Sequence, residues 1–349
     1  VQNAGTALPP DNHQVWWTEE FPCFASGRPI EQISNENNQV TLFSGCTVRY
    51  RFSNKPEGLT AFADHYSKLV HYVNLLQNQA RAIDPSIDAR TFRPPPAASA
   101  SPSPFRYEDS ASARAEIQRT SARLAQSRVA VVGLGGTGSY VLDQLAKTPV
   151  SEIHLFDGDL FLQHNAFRSP GAATLEELTQ QPPKTEYFQR KYSAMHAGIV
   201  SHPYNLAEAN VNELEGFDFA FVCVDQGRAR KLLFDYLMSR GIPMIDVGMN
   251  LQAVSENSKL VGSCRYTLCT REQHDHFATY APTAEDDQDV LYRQNVQIAD
   301  MNALNALLAV MRWKQHLGFY QDDFGVHNAT FSVNSMSLAR DVLRRKSDL

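Results

Sequence analysis

Between positions 128 and 247 the chain alternates short apolar runs with stretches of helical period. The runs 128–132, 152–156, 217–224 and 243–247 have the length and β-branched or aromatic content of buried strands. Between them, 137–147, 184–195 and 228–239 read as helices, and 198–202 is a further short apolar run. Strands that alternate with helices imply a mostly parallel sheet with helices on both faces, a Rossmann-like α/β fold. Residues 264–292 show no clear period. A long apolar helix is then expected over about 295–316 and a late strand at 331–333.

Upstream the pattern changes. Residues 1–93 read as a small α+β domain: Trp16 and Trp17 open it, 40–52 is strand-rich, and Gly45 marks a turn or bulge. Phe62, Tyr66, Leu69, Val70, Val73 and Leu76 recur at the spacing of one apolar helix face. The Pro-, Ser- and Ala-rich stretch 94–109 has the composition of an extended linker. Asp109 or Ser110 can cap a helix running to about 126, so the larger domain is expected over 110–349. There is no internal repeat.

Composition narrows the class. With 349 residues, two domains are the natural expectation. A net charge of −6 supplies no basic field for nucleic acid. No apolar run approaches the roughly 18 residues of a membrane span. The first eleven residues lack the blocks of a signal peptide. Five cysteines with no C-x-x-C pair suit a reducing cytoplasm, without a disulfide framework or a structural zinc.

The richest chemistry lies in Gly133-Leu134-Gly135-Gly136-Thr137-Gly138, directly after the first strand of the α/β region. Gly133 permits a tight turn, Gly135 and Gly136 let backbone approach a phosphate, and Gly138 lets the helix pack closely on the sheet. Asp157 ends the next strand, where a carboxylate can accept ribose hydroxyls. Loop and aspartate suit a nicotinamide dinucleotide and ATP equally. Asn165 and Arg168 follow Asp157 by eight and eleven residues. Hydride transfer has no need of an arginine there, whereas nucleotidyl transfer gains from a planar guanidinium on the phosphates. Lys184 opens a helix and adds a point charge. Asp225 ends a later strand at the same sheet edge, where it can hold Mg²⁺ or simply cap the next helix. Arg230 lies five residues on.

This set, spread over residues 114–349, resembles the ThiF/MoeB/ubiquitin-activating-enzyme superfamily. The resemblance implies a G-x-G-G-x-G loop at Gly133–Gly138, a ribose aspartate at Asp157, and phosphate contacts from Asn165, Arg168 and Lys184. It also implies Mg²⁺ at Asp225 and a basic residue at Arg230. Thr137 and Asp159 complete the nucleotide-contacting set. The implied activity is ATP-dependent adenylation of the C-terminal carboxylate of a ubiquitin-like or sulfur-carrier protein, giving an acyl-adenylate and pyrophosphate. The extra N-terminal domain resembles that of bacterial ThiF-like proteins that occur beside ubiquitin-like conjugation components, which makes a conjugating enzyme a candidate partner. Many relatives borrow an arginine from a partner subunit, so a homodimer is expected, with Arg114 favoured over Arg106 and Arg119.

Two features depart from the family pattern. The C-x-x-C zinc pairs are absent, and no cysteine has an evident catalytic setting. Cys223 lies in a predicted strand; Cys264 and Cys269 are candidates for carrying a thioester, with small strand side chains the plainer reading. His274-Asp275-His276 reads as a polar loop and the acidic run 285–289 as a solvated lid or docking surface. The competing functions are an NAD-dependent oxidoreductase and a non-catalytic scaffold subunit built on a degenerate adenylation fold.

Overall fold

The computed structural model describes residues 2–3, 6–7, 9–43, 45–90, 103–115, 117–254, 259–283 and 296–342. Most of the expected linker and the whole acidic run 285–289 lie outside the described residues. The chain divides into two compact units, Val1–Arg93 and Pro94–Leu349.

In the first unit the strands Gln14–Trp17, Tyr50–Ser53 and Ser34–Glu36 form an antiparallel sheet with Tyr50–Ser53 in the centre. A hairpin pairs Val40–Phe43 with Cys46–Val48, and Gly45 takes the left-handed conformation its turn requires (φ +83°). The helix His65–Arg81 begins where the Asp64 carboxylate accepts from Ser67 N–H at 2.6 Å. Only part of the expected apolar face is buried. Phe62 precedes the helix, and Tyr66, Leu69 and Val73 are exposed. Tyr72 and Leu75 turn inward together with Leu76 of the expected face, onto Phe52, Ile30 and Ile33. The Tyr72 hydroxyl selects this rotation: it donates to the His13 carbonyl at 2.8 Å and accepts from Asn54 N–H at 2.7 Å. Tertiary packing here overrides the periodic count.

The second unit is built on one eight-stranded sheet. In chain order its elements are β1 (Arg128–Val132), α1 (Gly136–Leu145), β2 (Glu152–Phe156), α2 (Lys184–Tyr192), β3 (Ile199–His202), β4 (Phe219–Val222), α3 (Gly227–Arg240), β5 (Met244–Val254), β6 (Lys259–Cys269), α4 (Ala299–His316), β7 (Val326–Ser332) and β8 (Ser337–Val342). The strand order is 3-2-1-4-5-6-7-8. Strands 3, 2, 1, 4 and 5 run parallel; 6, 7 and 8 add antiparallel.

Side-chain alternation explains why the central strands read as unbroken apolar runs. Val129, Val131, Phe219 and Phe221 pack on one side, against α1, α2 and α4. Ala130, Val132, Ala220 and Val222 pack on the other, against Leu233 and Leu237 of α3. Both faces are covered, so neither set is polar. Chain order reverses between β1 and β4, which opens a crevice at their carboxyl ends.

The larger unit departs from expectation in three places. The helix over 110–126 is broken into Ser110–Arg114, Gln118–Ser121 and a 3₁₀ turn Ala122–Leu124, with the Asp109 carboxylate accepting from Ala111 and Ser112 N–H. Residues 264–269 are not irregular: they belong to β6, which pairs along β5 over eleven residues. The terminal strand β8 carried no alternation that separated it from a loop.

On the edge strand β3 and its neighbour β2, His202 and His154 stack with ring centroids 5.2 Å apart and share a hydrogen bond of 2.9 Å. Burial holds both imidazoles below the ordinary histidine range, and it pushes His327 down to about 4. The native state therefore binds fewer protons than the unfolded chain at mildly acid pH, and stability rises with pH. Urea midpoints should be level above about pH 7 and fall progressively below about 6.5, the unfolded histidine value. Midpoints unchanged down to about pH 5 would contradict this.

Candidate functional site

The site starts where β1 stops. Gly133 has φ +90°, and a Cβ there would lie 2.7 Å from the Cys223 carbonyl oxygen. A Cβ on Gly138 would collide with the Gly133 carbonyl, and one on Gly136 with the Asn302 side-chain amide. Gly135 caps α1 with no side-chain bond, and open space lies where its Cβ would stand. The first N–H groups of α1 have no intrahelical partner, and the helix dipole puts positive charge there.

Asp157 joins this loop to its neighbours. Its carboxylate accepts from Leu134 N–H at 2.6 Å and from Asp159 N–H at 2.9 Å. Lys184 Nζ, buried at the start of α2, stands 3.4 Å from Asp157 Oδ1 and 2.6 Å from Asp159 Oδ2. The short helix Gln163–Ala166 follows. There the Asn165 side-chain Oδ1 accepts from Leu162 N–H at 2.9 Å, while its buried Nδ2 has no partner. Arg168 is half-buried, its Nε is also buried without a partner, and it enters no ion pair among the described residues. A guanidinium so placed is a donor set waiting for an acceptor.

Asp225 is exposed just beyond β4. It does not cap α3, whose N-cap is Gln226 without a side-chain bond. Arg230 behaves differently from Arg168. Its three nitrogens donate to Asp246 Oδ1 at 2.7 Å, the Pro282 carbonyl at 2.9 Å and the Val224 carbonyl at 2.7 Å. Asp246 also accepts from Arg265 at 2.7 Å. Arg230 is thus tied into the wall of the crevice. Arg114 ends the helix Ser110–Arg114 and is exposed, as is Arg119; Arg106 donates to the Ser193 carbonyl at 3.3 Å.

The sequence reading missed Asn302 and Asn305. Asn302 is 1 % exposed on α4; its Oδ1 accepts from the Thr137 hydroxyl at 3.0 Å, and its Nδ2 has no partner. Asn305 donates to the Gly248 carbonyl at 3.1 Å. Two asparagines three apart on the buried face of an apolar helix were the available signal.

Burial raises the thiol pKa of Cys223, Cys264 and Cys269, to about 11 for Cys264. Cys264 and Cys269 are buried within β6, where neither is a thiolate near neutral pH. His274 bonds the Thr270 carbonyl and His276 the Leu268 carbonyl, as a polar loop does. Among the described residues no group of three His, Cys, Asp or Glu side chains is arranged to hold a metal. No helix there is long and apolar enough to cross a membrane.

Fold and site define a Rossmann-like protein with a glycine loop at the end of β1 and a half-buried arginine whose Nε has no partner. The chain belongs to the ThiF family, which it matches over residues 110–339. Residues 1–110 match a domain of unknown function, DUF6791. It is 26% identical over 149 residues to the adenylyltransferase and sulfurtransferase UBA4 of Saccharomyces cerevisiae, covering 41% of this chain and 33% of that protein. It is 26% identical over 133 residues to the tRNA threonylcarbamoyladenosine dehydratase of Haemophilus influenzae, covering 36% and 49%. The chain thus spans a third to a half of these relatives. Among solved structures it is similar to MccB of E. coli (TM-score 0.53, 15% identity, 65% and 64% covered). PaaA matches over more of both chains (TM-score 0.54, 14% identity, 85% and 93% covered). These structural likenesses show the fold.

The two acids near the crevice separate structure from surface. Asp246→Ala leaves two guanidinium groups facing an empty buried position and should cost about 3–5 kcal/mol in urea unfolding. Asp225→Ala should cost under about 0.5 kcal/mol. Equal costs would show that the partition is misdrawn.

Proposed function

We propose that this chain transfers the adenylyl group of ATP to the C-terminal carboxylate of a small ubiquitin-like or sulfur-carrier protein, as a ubiquitin-activating-like enzyme of a bacterial conjugation pathway. The observation that carries the reading is Arg168, half-buried with an unpartnered Nε, three residues after Asn165 on the segment that follows Asp157. The relative UBA4, matched at low identity and named an adenylyltransferase, agrees with adenylation as the reaction type. The substrate carboxylate oxygen bonds to the α-phosphorus, the α–β phosphoanhydride bond breaks, and pyrophosphate leaves with the electron pair.

The residues present fit ATP. The loop N–H groups and the space over Gly135 receive phosphate. Asp157 keeps lone-pair sites for ribose hydroxyls, with Thr137 and Asp159 beside it. Arg168, Lys184 and the unpartnered Nδ2 of Asn165 meet the charge that builds on the phosphates, which is positioning and electrostatic stabilisation in the ordinary sense. Asp225 is one exposed carboxylate, which suits Mg²⁺, since that ion needs few protein ligands when phosphates and water supply the rest. When bound, Mg²⁺ neutralises phosphate charge. Arg230 holds the wall of this pocket. On this reading the enzyme works in the cytoplasm as a homodimer, with Arg114 reaching a partner's site.

Thermal unfolding tests the reading. Mg·ATP at about 100 times its dissociation constant should stabilise the protein by about 2.7 kcal/mol. Arg168→Ala should lose most of that gain, and NAD should give none. Stabilisation by NAD that survives Arg168→Ala would overturn adenylation in favour of hydride transfer.

A further inference from the structure

In the first unit His13 stands directly before the strand Gln14–Trp17, and Ser53 ends the strand Tyr50–Ser53, where it pairs with Gln14. This register brings together two side chains 40 residues apart in the chain: His13 Nε2 and Ser53 Oγ are 2.7 Å apart. Among the described residues Ser53 Oγ bonds to no other group, so the ring nitrogen is the acceptor for its proton. Both residues are half-buried, which leaves the serine within reach of a solute. The histidine is placed through its backbone. The Tyr72 hydroxyl donates to its carbonyl at 2.8 Å, and the N–H of Gln14 donates to Asn12 Oδ1 at 2.9 Å. Asn54 follows the serine and is held as firmly. His71 Nε2 bonds its Oδ1 at 2.6 Å, and its backbone N–H donates to the Tyr72 hydroxyl at 2.7 Å.

A serine hydroxyl is a weak nucleophile until a base within hydrogen-bond reach takes its proton, and this pair has that geometry without a ligand. We propose that Ser53 and His13 form an acyl-transfer dyad that hydrolyses carboxylic esters and thioesters. The proposal stands apart from the adenylation reading: it concerns the segment whose family match carries no assigned activity. Ser53 Oγ bonds to the acyl carbon as its proton passes to His13 Nε2. The bond from the acyl carbon to the leaving oxygen or sulfur then breaks. Its electron pair stays on the leaving atom, which takes the proton from the imidazolium. Water attacks the resulting acyl-serine in the same way, giving up a proton to His13. The carboxylic acid departs, and the proton returns to Ser53 Oγ. Each turnover consumes one ester and one water.

The test uses the full chain. The wild type is treated with a fluorophosphonate, which modifies base-activated serines, and the modified residue is located by peptide mass spectrometry. Ser53 should carry the label. Turnover is read with p-nitrophenyl acetate. The wild type should release p-nitrophenol catalytically, and Ser53→Ala should lose that activity. His13→Gln still accepts a hydrogen bond but takes no proton, and it should lower the rate by about 100-fold or more. A mere tie between two strand ends would give the opposite split, with lower urea midpoints for the variants and unchanged hydrolysis. An unlabelled Ser53 in the wild type overturns the proposal whether or not the variants fold. Hydrolysis that survives Ser53→Ala overturns it as well, and either result leaves adenylation standing.

Discussion

The Asp157 carboxylate is the interaction on which the site depends. It is nearly buried, and a buried carboxylate is costly unless its oxygens are matched by donors. Here the donors come from Leu134 in the glycine loop, from Asp159 after β2 and from Lys184 at the head of α2. Because each bond is charge-assisted, the three segments are held in one geometry. Asn165 and Arg168 hang from the segment that Asp157 and Asp159 anchor, so their distance from the loop is set by the same carboxylate.

The arginines show how one residue type divides its work. Arg230 is 4 % exposed and has its nitrogens bonded to Asp246, Val224 and Pro282. Its planar fork serves as a brace between α3, β5 and the segment after β6. Arg168 has the same fork with its Nε left unbonded. A buried unsatisfied donor persists in a native structure when something else requires it. The same reasoning applies to Asn165 Nδ2 and Asn302 Nδ2, both buried without a partner. Asn302 links α4 to that loop through Thr137 and through its packing on Gly136, so a shift of α4 moves the loop.

Much of this was legible in the sequence, for local reasons. The runs 128–132 and 152–156 coincide with β1 and β2 because a strand buried on both faces needs apolar residues at every position. The glycine spacing announced the loop because φ +90° at Gly133 and the contact between Gly138 and Gly133 exclude side chains. The rest was illegible because it depends on distant partners. Asn302 meets Thr137 across 165 residues of chain. Asp246 became a brace only once β5 and β6 placed Arg265 beside it. The inward face of the helix His65–Arg81 was decided by one tyrosine hydroxyl rather than by the count of apolar residues.

We propose that the glycine loop and the 164–168 turn hold one nucleotide between them. Amide hydrogen exchange with and without Mg·ATP tests this most directly. Residues 135–138 and 164–168 should gain protection together, at the same nucleotide concentration. Protection confined to the loop, with 164–168 unchanged, would contradict it.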